Sequence, residues 1–314
     1  MKESVMVKIR HFVGSFFSEQ FREKFILFSK KDTRKIILED FRYKYTIKWY
    51  TLWNCINIST EQQDYSHNLK TAVQFHIYYT DLLDEIYEGI KNITSNYDLY
   101  ISTNTDEKKQ IIELFFQNHH IAAQNIIVET IENKGRDVWP LLKQIQPIYK
   151  NYDIIIHLHS KKSVNKGLGD EWRKYLYYNI LGKKHYTDNI IKYLSNNPQI
   201  GIMAPPPLPH KGIYRAYCES KFDFANETTD LLNKIGLKPT KKFNPKKFQF
   251  PAGNMFLART NAIKQIFEHN FKSEDFPSEI GQDDHTIMHT IERIWHYVAK
   301  YNGYKYKECK IKDK

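Results

Sequence analysis

Four short segments hold side chains that could grip a phosphate and the hydroxyls around it. In NKGRD at 133–137, Gly135 permits a tight turn and Arg136 offers a planar fork to a phosphate or carboxylate. Asp137 then either caps a helix or binds a hydroxyl. HLHSKKS at 157–163 sets His157, His159, Lys161 and Lys162 beside two serines at the mouth of an apolar run, as a diphosphate cradle or as a basic surface loop. In FPAGNMF at 250–256, Gly253 lets the backbone approach closely and Asn254 can both donate and accept, toward a sugar or within a turn. EIGQDDH at 279–285 offers Gln282, Asp283 and Asp284 where a helix dipole would stabilise carboxylates, as a general base or as an N-cap. His285 and His289 have the spacing of metal ligands, but no third ligand and no His-Glu-x-x-His pattern accompany them, so no metal is expected.

These segments punctuate a regular alternation. Buried strands are expected at 72–79, 97–103, 125–130 and 153–158, with helices at 81–92, 106–117 and 137–149 between and after them. Strand–helix alternation with short connections predicts a parallel sheet covered on both faces, with ligands beyond the carboxyl ends of its strands. The second half is less regular: helices at 170–181 and 188–195, strands at 200–204 and 250–258, and a long helix at 283–300 with Ile287, Ile291, Ile294, Trp295 and Val298 on one face. Trp172 and Arg173 fall on the first of these helices, along the cleft or in the core.

The chain has 314 residues, 41% hydrophobic, enough for one large α/β domain or two smaller ones. Its net charge of +11 suits phosphates of some kind. Lys and Arg are spread along the chain with no recognised module, so nucleic acid is not an expected partner. Cys55, Cys218 and Cys309 have neither disulfide-framework nor Cys-x-x-Cys spacing, which fits a reducing compartment. No apolar run is long enough to cross a bilayer and no secretory signal is evident, so a cytoplasmic location is expected. A basic amphipathic pattern over 5–25 predicts a helix that docks on the inner membrane surface or packs on a protein face.

Taken in order, AVQFHIYYTDLLDEI, YDLYIST, ENKGRDVWPLL, YDIIIHLHSKKS, EWRKYL, NPQIGIMAPP, FPAGNMFLAR and GQDDHTIMHTIERI resemble the rhamnan synthesis F family of polysaccharide glycosyltransferases, from about residue 72 to 304. The resemblance implies an α/β fold, a GT-A-like Rossmann-type sandwich with a mostly parallel central sheet, spanning 70–304. A helical basic extension at 1–69 and a basic tail at 305–314 would flank it. It implies transfer of a sugar, rhamnose first, from a nucleotide sugar such as dTDP-rhamnose to a lipid-linked or polysaccharide acceptor. The alternative is a non-catalytic partner in a polysaccharide-synthesis complex, and an oligomer is compatible with either.

Common metal-dependent enzymes of this fold carry an Asp-x-Asp site after the central strand, and this chain has none. Charge logic then predicts an inverting, metal-independent reaction without a cofactor, in which His159, Lys161, Lys162 and Arg136 neutralise the departing diphosphate. Asp283 is the first choice of base and Asp284 the second. Asp137, His157, Asn254, Gly253, Gln282 and Trp172 would line the sugar or nucleoside.

Overall fold

The structure, a computed structural model, describes residues 55–64, 69–160, 162, 169–209, 225–238, 249–279 and 285–312. Among these, eight strands form one sheet in the order β1-β8-β6-β7-β5-β2-β3-β4. They are β1 Cys55–Ile58, β2 Thr71–His76, β3 Tyr97–Thr103, β4 Ala123–Thr130, β5 Ile154–His159, β6 Ile200–Ala204, β7 Phe256–Arg259 and β8 Lys305–Ile311. All neighbouring pairs are parallel except those of β7, which runs antiparallel to both β5 and β6. The chain is therefore an α/β Rossmann-type sandwich on a mostly parallel sheet.

Among the described residues eight α-helices accompany the sheet: α1 Leu83–Ile90, α2 Asp106–Gln117, α3 Val138–Ile145, α4 Gly169–Leu181, α5 Tyr186–Asn196, α6 Ala225–Lys234, α7 Lys264–Glu268 and α8 Ile287–Tyr301. Thr105 starts α2 by accepting the Lys108 amide on its side chain at 3.3 Å. None of the described helices is long and apolar enough to cross a membrane.

Period-two alternation divides the sheet's two faces. Val73 and Phe75 of β2, Leu99 and Ile101 of β3, and Ile156 and Leu158 of β5 pack with α1, α2, α4 and α5 in one apolar core. On the other face Ile155 and Phe256 pack with residues of α3, α6, α7 and α8, including Trp139, Met288 and Trp295. Toward the carboxyl ends this second face turns polar: Gln74, His76, Ser102, His157 and His159 occupy the intervening positions and are all buried. The chain lays β2, β3 and β4 outward to one edge, then returns through α3 to place β5 on the opposite side of β2. That reversal between β2 and β5 is the topological switch point, where open sheets leave a crevice.

Both ends of the sheet extend past the expected boundaries. Cys55–Ile58 is an edge strand, although 1–69 reads as a helical extension, and Lys305–Ile311, expected as a basic tail, lies between β1 and β6. Tyr306, Glu308, Cys309 and Ile311 of that strand are buried, so the segment is part of the sheet and its core rather than a solvated tail. The expected strand at 250–258 begins only at Phe256, because 251–254 close a turn in which the Asn254 amide donates to the Pro251 carbonyl at 2.9 Å. The basic stretch 5–25 lies outside the described residues.

Arg173, a candidate for the cleft, instead ties α4 to α1. It is 2% exposed and forks onto Glu85 at 2.9 and 3.0 Å, with Asp170 at 2.6 Å. Glu85 keeps 28% of its side-chain surface exposed, which lowers the cost of orphaning it below that of a wholly buried pair. Arg173→Ala is expected to lower stability by about 1–3 kcal/mol, read as a shifted urea midpoint with unchanged slope.

Candidate functional site

The site is built from three pieces that meet at the switch point. The first is the loop before α3, where Gly135 (φ 59°) and Arg136 (φ 53°) both take the left-handed backbone region. A Cβ at Gly135 would stand 2.7 Å from the Phe276 ring and 2.8 Å from the Trp139 Cβ, so the close approach requires glycine. The second is the turn before β7, with Gly253 at φ 86° and Asn254 at φ 54°. Arginine and asparagine held at positive φ are uncommon, and a pair of them in loops that touch is the kind of strain that gathers at functional sites. The third piece is the ladder of polar side chains on β2, β3 and β5.

Asp137 joins all three. It stands at the N-cap position of α3, yet its side chain makes no capping bond. Its Oδ2 accepts from Asn254 Nδ2 at 2.7 Å, faces His157 Nε2 at 3.3 Å and lies 3.7 Å from His159 Nε2. Burial pushes the carboxyl group up, but His159, then His157 and the Asn254 hydrogen bond, overcome it and hold Asp137 well below the usual carboxylate range. The site thus presents a fixed anion, its side chain only 12% exposed, hydrogen-bonded by Asn254 and His157 with the His159 ring beside it.

Each donor is itself oriented. Trp295 Nε1 donates to Asn254 Oδ1 at 2.9 Å, which leaves the amide nitrogen to face Asp137. His159 Nε2 donates to the Gly253 carbonyl at 2.8 Å, and Tyr177 donates to the His159 carbonyl at 2.9 Å. His157 Nδ1 meets Gln74 Oε1 at 2.7 Å, and Gln74 Nε2 donates in turn to Ser102 and Gln144. His76, the register partner of His159, bonds Ser102 Oγ through Nδ1 at 3.0 Å, and burial pulls its pKa down to about 3.

Two of the expected cations are held in other pairings. Lys162 is ion-paired with Asp81 and lies 4.8 Å from the centre of the Tyr79 ring. Arg136 receives Glu279 on its backbone amide at 3.1 Å and on Nε at 3.8 Å, and its Nη1 meets His289 Nε2 at 2.9 Å. His289 Nδ1 lies 2.7 Å from Thr286 Oγ1, so both of its ring nitrogens are engaged in hydrogen bonds. Trp172 comes against the Gly253 turn, within 3.3 Å of where a Cβ would stand. Lys161, Gln282, Asp283 and Asp284 lie outside the described residues.

The structure therefore gathers Asp137, His157, His159, Gly253 and Asn254, with Trp172 alongside. Gln74, His76, Ser102, Gln144, Glu279 and Trp295 also bond into this network, none of them an expected site residue. A signal for two of them was present: Gln74 and His76 interrupt an otherwise apolar strand at period two, as His157 and His159 do in β5.

Compared with known protein families, residues 33–304 match the family described as rhamnan synthesis protein F. The chain belongs to this family. The match takes in residues 33–69, ahead of the point where the motif resemblance begins. Within the rhamnan synthesis F match lie all of the Asp137 cluster and every strand but β8. Two curated relatives, both named uncharacterized protein WxcX, come from Xanthomonas campestris pv. campestris strains B100 and ATCC 33913. Each is 26% identical over 235 residues, 74% of this chain and 32% of the relative. The chain thus spans about a third of the length of the curated relatives it matches.

The burial of His76 has a sign that can be tested. Its pKa is lower folded than unfolded, so stability is present above the ordinary histidine value and is lost as pH falls toward about 3. Over that window this one group makes stability drop by roughly 1.4 kcal/mol per pH unit. Urea unfolding of His76→Gln at a series of pH values is expected to show a flatter decline between pH 6 and 4; a slope identical to wild type would contradict the assignment.

Proposed function

We propose that this chain is a glycosyltransferase that moves a sugar from a nucleotide-sugar donor to a surface polysaccharide acceptor. Its family membership supports a role in polysaccharide synthesis, and the observation that carries the enzymatic reading is the ionised Asp137 held at the switch point by His157 and Asn254. A buried anion with oriented neighbours is a hydrogen-bond acceptor for hydroxyls, the groups that sugars and ribose supply in quantity. A carboxylate held so far down is a weak base, so Asp137 binds and orients donor hydroxyls and does not take the acceptor's proton.

The transfer itself follows from those assignments. An acceptor hydroxyl attacks the anomeric carbon, its proton passes to Asp283 or Asp284, and the carbon–oxygen bond to the diphosphate breaks with inversion. The leaving diphosphate carries its negative charge toward His159, Lys161, Lys162 and Arg136. Lys162 and Arg136 are each held by a carboxylate, Asp81 and Glu279, that phosphate oxygens can replace. In the absence of an Asp-x-Asp motif these cations do the work of a metal. dTDP-rhamnose is the first donor to try, with the reaction on the cytoplasmic side where nucleotide sugars are made.

The test is turnover of a nucleotide-sugar panel by wild type, Asp137→Asn and Asp283→Ala, with and without EDTA. Selective use of one donor, survival in EDTA, and a fall in kcat/KM of about 100-fold or more in either variant are expected. Loss of turnover in EDTA would remove the metal-free step and leave the transferase. If no nucleotide sugar binds, the chain acts as an assembly partner instead.

A further inference from the structure

One chain of side-chain amides runs from the sheet edge into the site, and its donor–acceptor polarity is fixed at the outer end. Gln144 of α3 places Nε2 against two groups that can only accept at neutral pH, the Ile101 carbonyl at 3.0 Å and Glu129 Oε2 at 3.0 Å. Both of its amide protons are thereby committed, and Gln144 Oε1 must be the atom that faces Gln74. Gln74 Nε2 donates to that oxygen at 3.0 Å and to Ser102 Oγ at 3.1 Å. Its own Oε1 is then turned toward His157 Nδ1 at 2.7 Å, and a carbonyl oxygen accepts only from a protonated nitrogen. No reversal of either amide satisfies the same partners.

We infer that Gln74 and Gln144 are positioning residues: they fix a proton on His157 Nδ1, so that the opposite nitrogen meets the Asp137 carboxylate as a donor. With Nδ1 protonated, His157 Nε2 avoids lone-pair repulsion with Asp137 only by carrying a proton as well. The same relay orders the second histidine. Ser102 accepts from Gln74 and also bonds His76 Nδ1 at 3.0 Å, so the relay reaches both histidines. All four side chains Gln74, Gln144, Ser102 and His157 are at most 4% exposed, so water does not compete for these bonds.

The inference deepens the transferase reading, resting on it only for the effect on turnover. Its direct readout is the ¹⁵N imidazole spectrum of His157 in the full chain at pH 7, compared among wild type, Gln74→Met, Gln144→Met and Gln74→Glu. The charged and titratable groups around His157 are Asp137 before α3, His159 on its own strand and His76 on β2, with Lys108 adding to the field at His76. In wild type at pH 7 both His157 nitrogens should give protonated-type signals. Either methionine variant should lose the fixed Nδ1 proton and its signal, whereas Gln74→Glu keeps an acceptor oxygen and should keep the Nδ1 signal.

With dTDP-rhamnose as probe, the methionine variants should lose about 10-fold or more in kcat/KM, and Gln74→Glu should recover part of it. Should Gln74→Met fail to fold, Gln144→Met interrogates the same relay one link farther out. His157 signals indistinguishable from wild type in a folded methionine variant would overturn the inference. If the signals move as expected but no nucleotide sugar is turned over by wild type, the relay stands and only the transferase reading falls.

Discussion

The arrangement at the carboxyl end of the sheet depends on keeping one carboxylate charged in a buried place. Taking an ion from water costs several kcal/mol even after the protein relaxes, and a single partner rarely offsets that. Asp137 has Asn254 at 2.7 Å, His157 at 3.3 Å and His159 at 3.7 Å around the same oxygen. Each of those partners would fail if it could rotate. Trp295 prevents this for Asn254, the Gly253 carbonyl for His159, and Gln74 for His157. The left-handed backbones of Arg136 and Asn254 follow from the same requirement, since they bring the α3 loop and the β7 turn within reach of one another.

The division of the sheet's faces makes that requirement affordable. On the α1, α2, α4 and α5 side the strands contribute an apolar layer, and dispersion and burial there supply cohesion without any directional demand. The polar ladder on the opposite face can then be devoted to orientation. Its members lie on hydrogen-bonded strands and on α3, so their positions are set by ladders that do not bend easily. Sites carried by such elements hold their geometry better than sites carried by loops alone.

How much of this was legible in the sequence depended on whether the signal was local. β3 and α2 fall where expected, because YDLYIST alternates cleanly and Thr105 supplies a cap before a helical run. β8 reads as a tail because Lys305, Lys307 and Lys310 mask the buried Tyr306, Glu308, Cys309 and Ile311. β1, four residues long, carries too little period to be seen. In the site, His157, His159, Asp137 and Asn254 stood out by type and by their place after apolar strands. Gln74 and Gln144 did not, because a glutamine acquires its role only through the register that sets Gln74 beside His157 and through the packing of α3 on β2. The geometry removes the cap reading of Asp137: its side chain leaves the helix amides and turns to Asn254.

That turn decides what the carboxylate can contribute to a reaction. A general base works best when its proton affinity lies near the ambient pH, and it must be free to accept a proton in the transition state. Asp137 meets neither condition, since the cationic and donor groups that stabilise its charge also lower its affinity for a proton. The interactions that make it a poor base make it a good anchor, because an acceptor that stays ionised and stationary binds a hydroxyl in the ground state and the transition state alike. Any proton removed from an acceptor must then go to a group with looser surroundings. In the proposed transfer the two functions therefore fall to separate carboxylates.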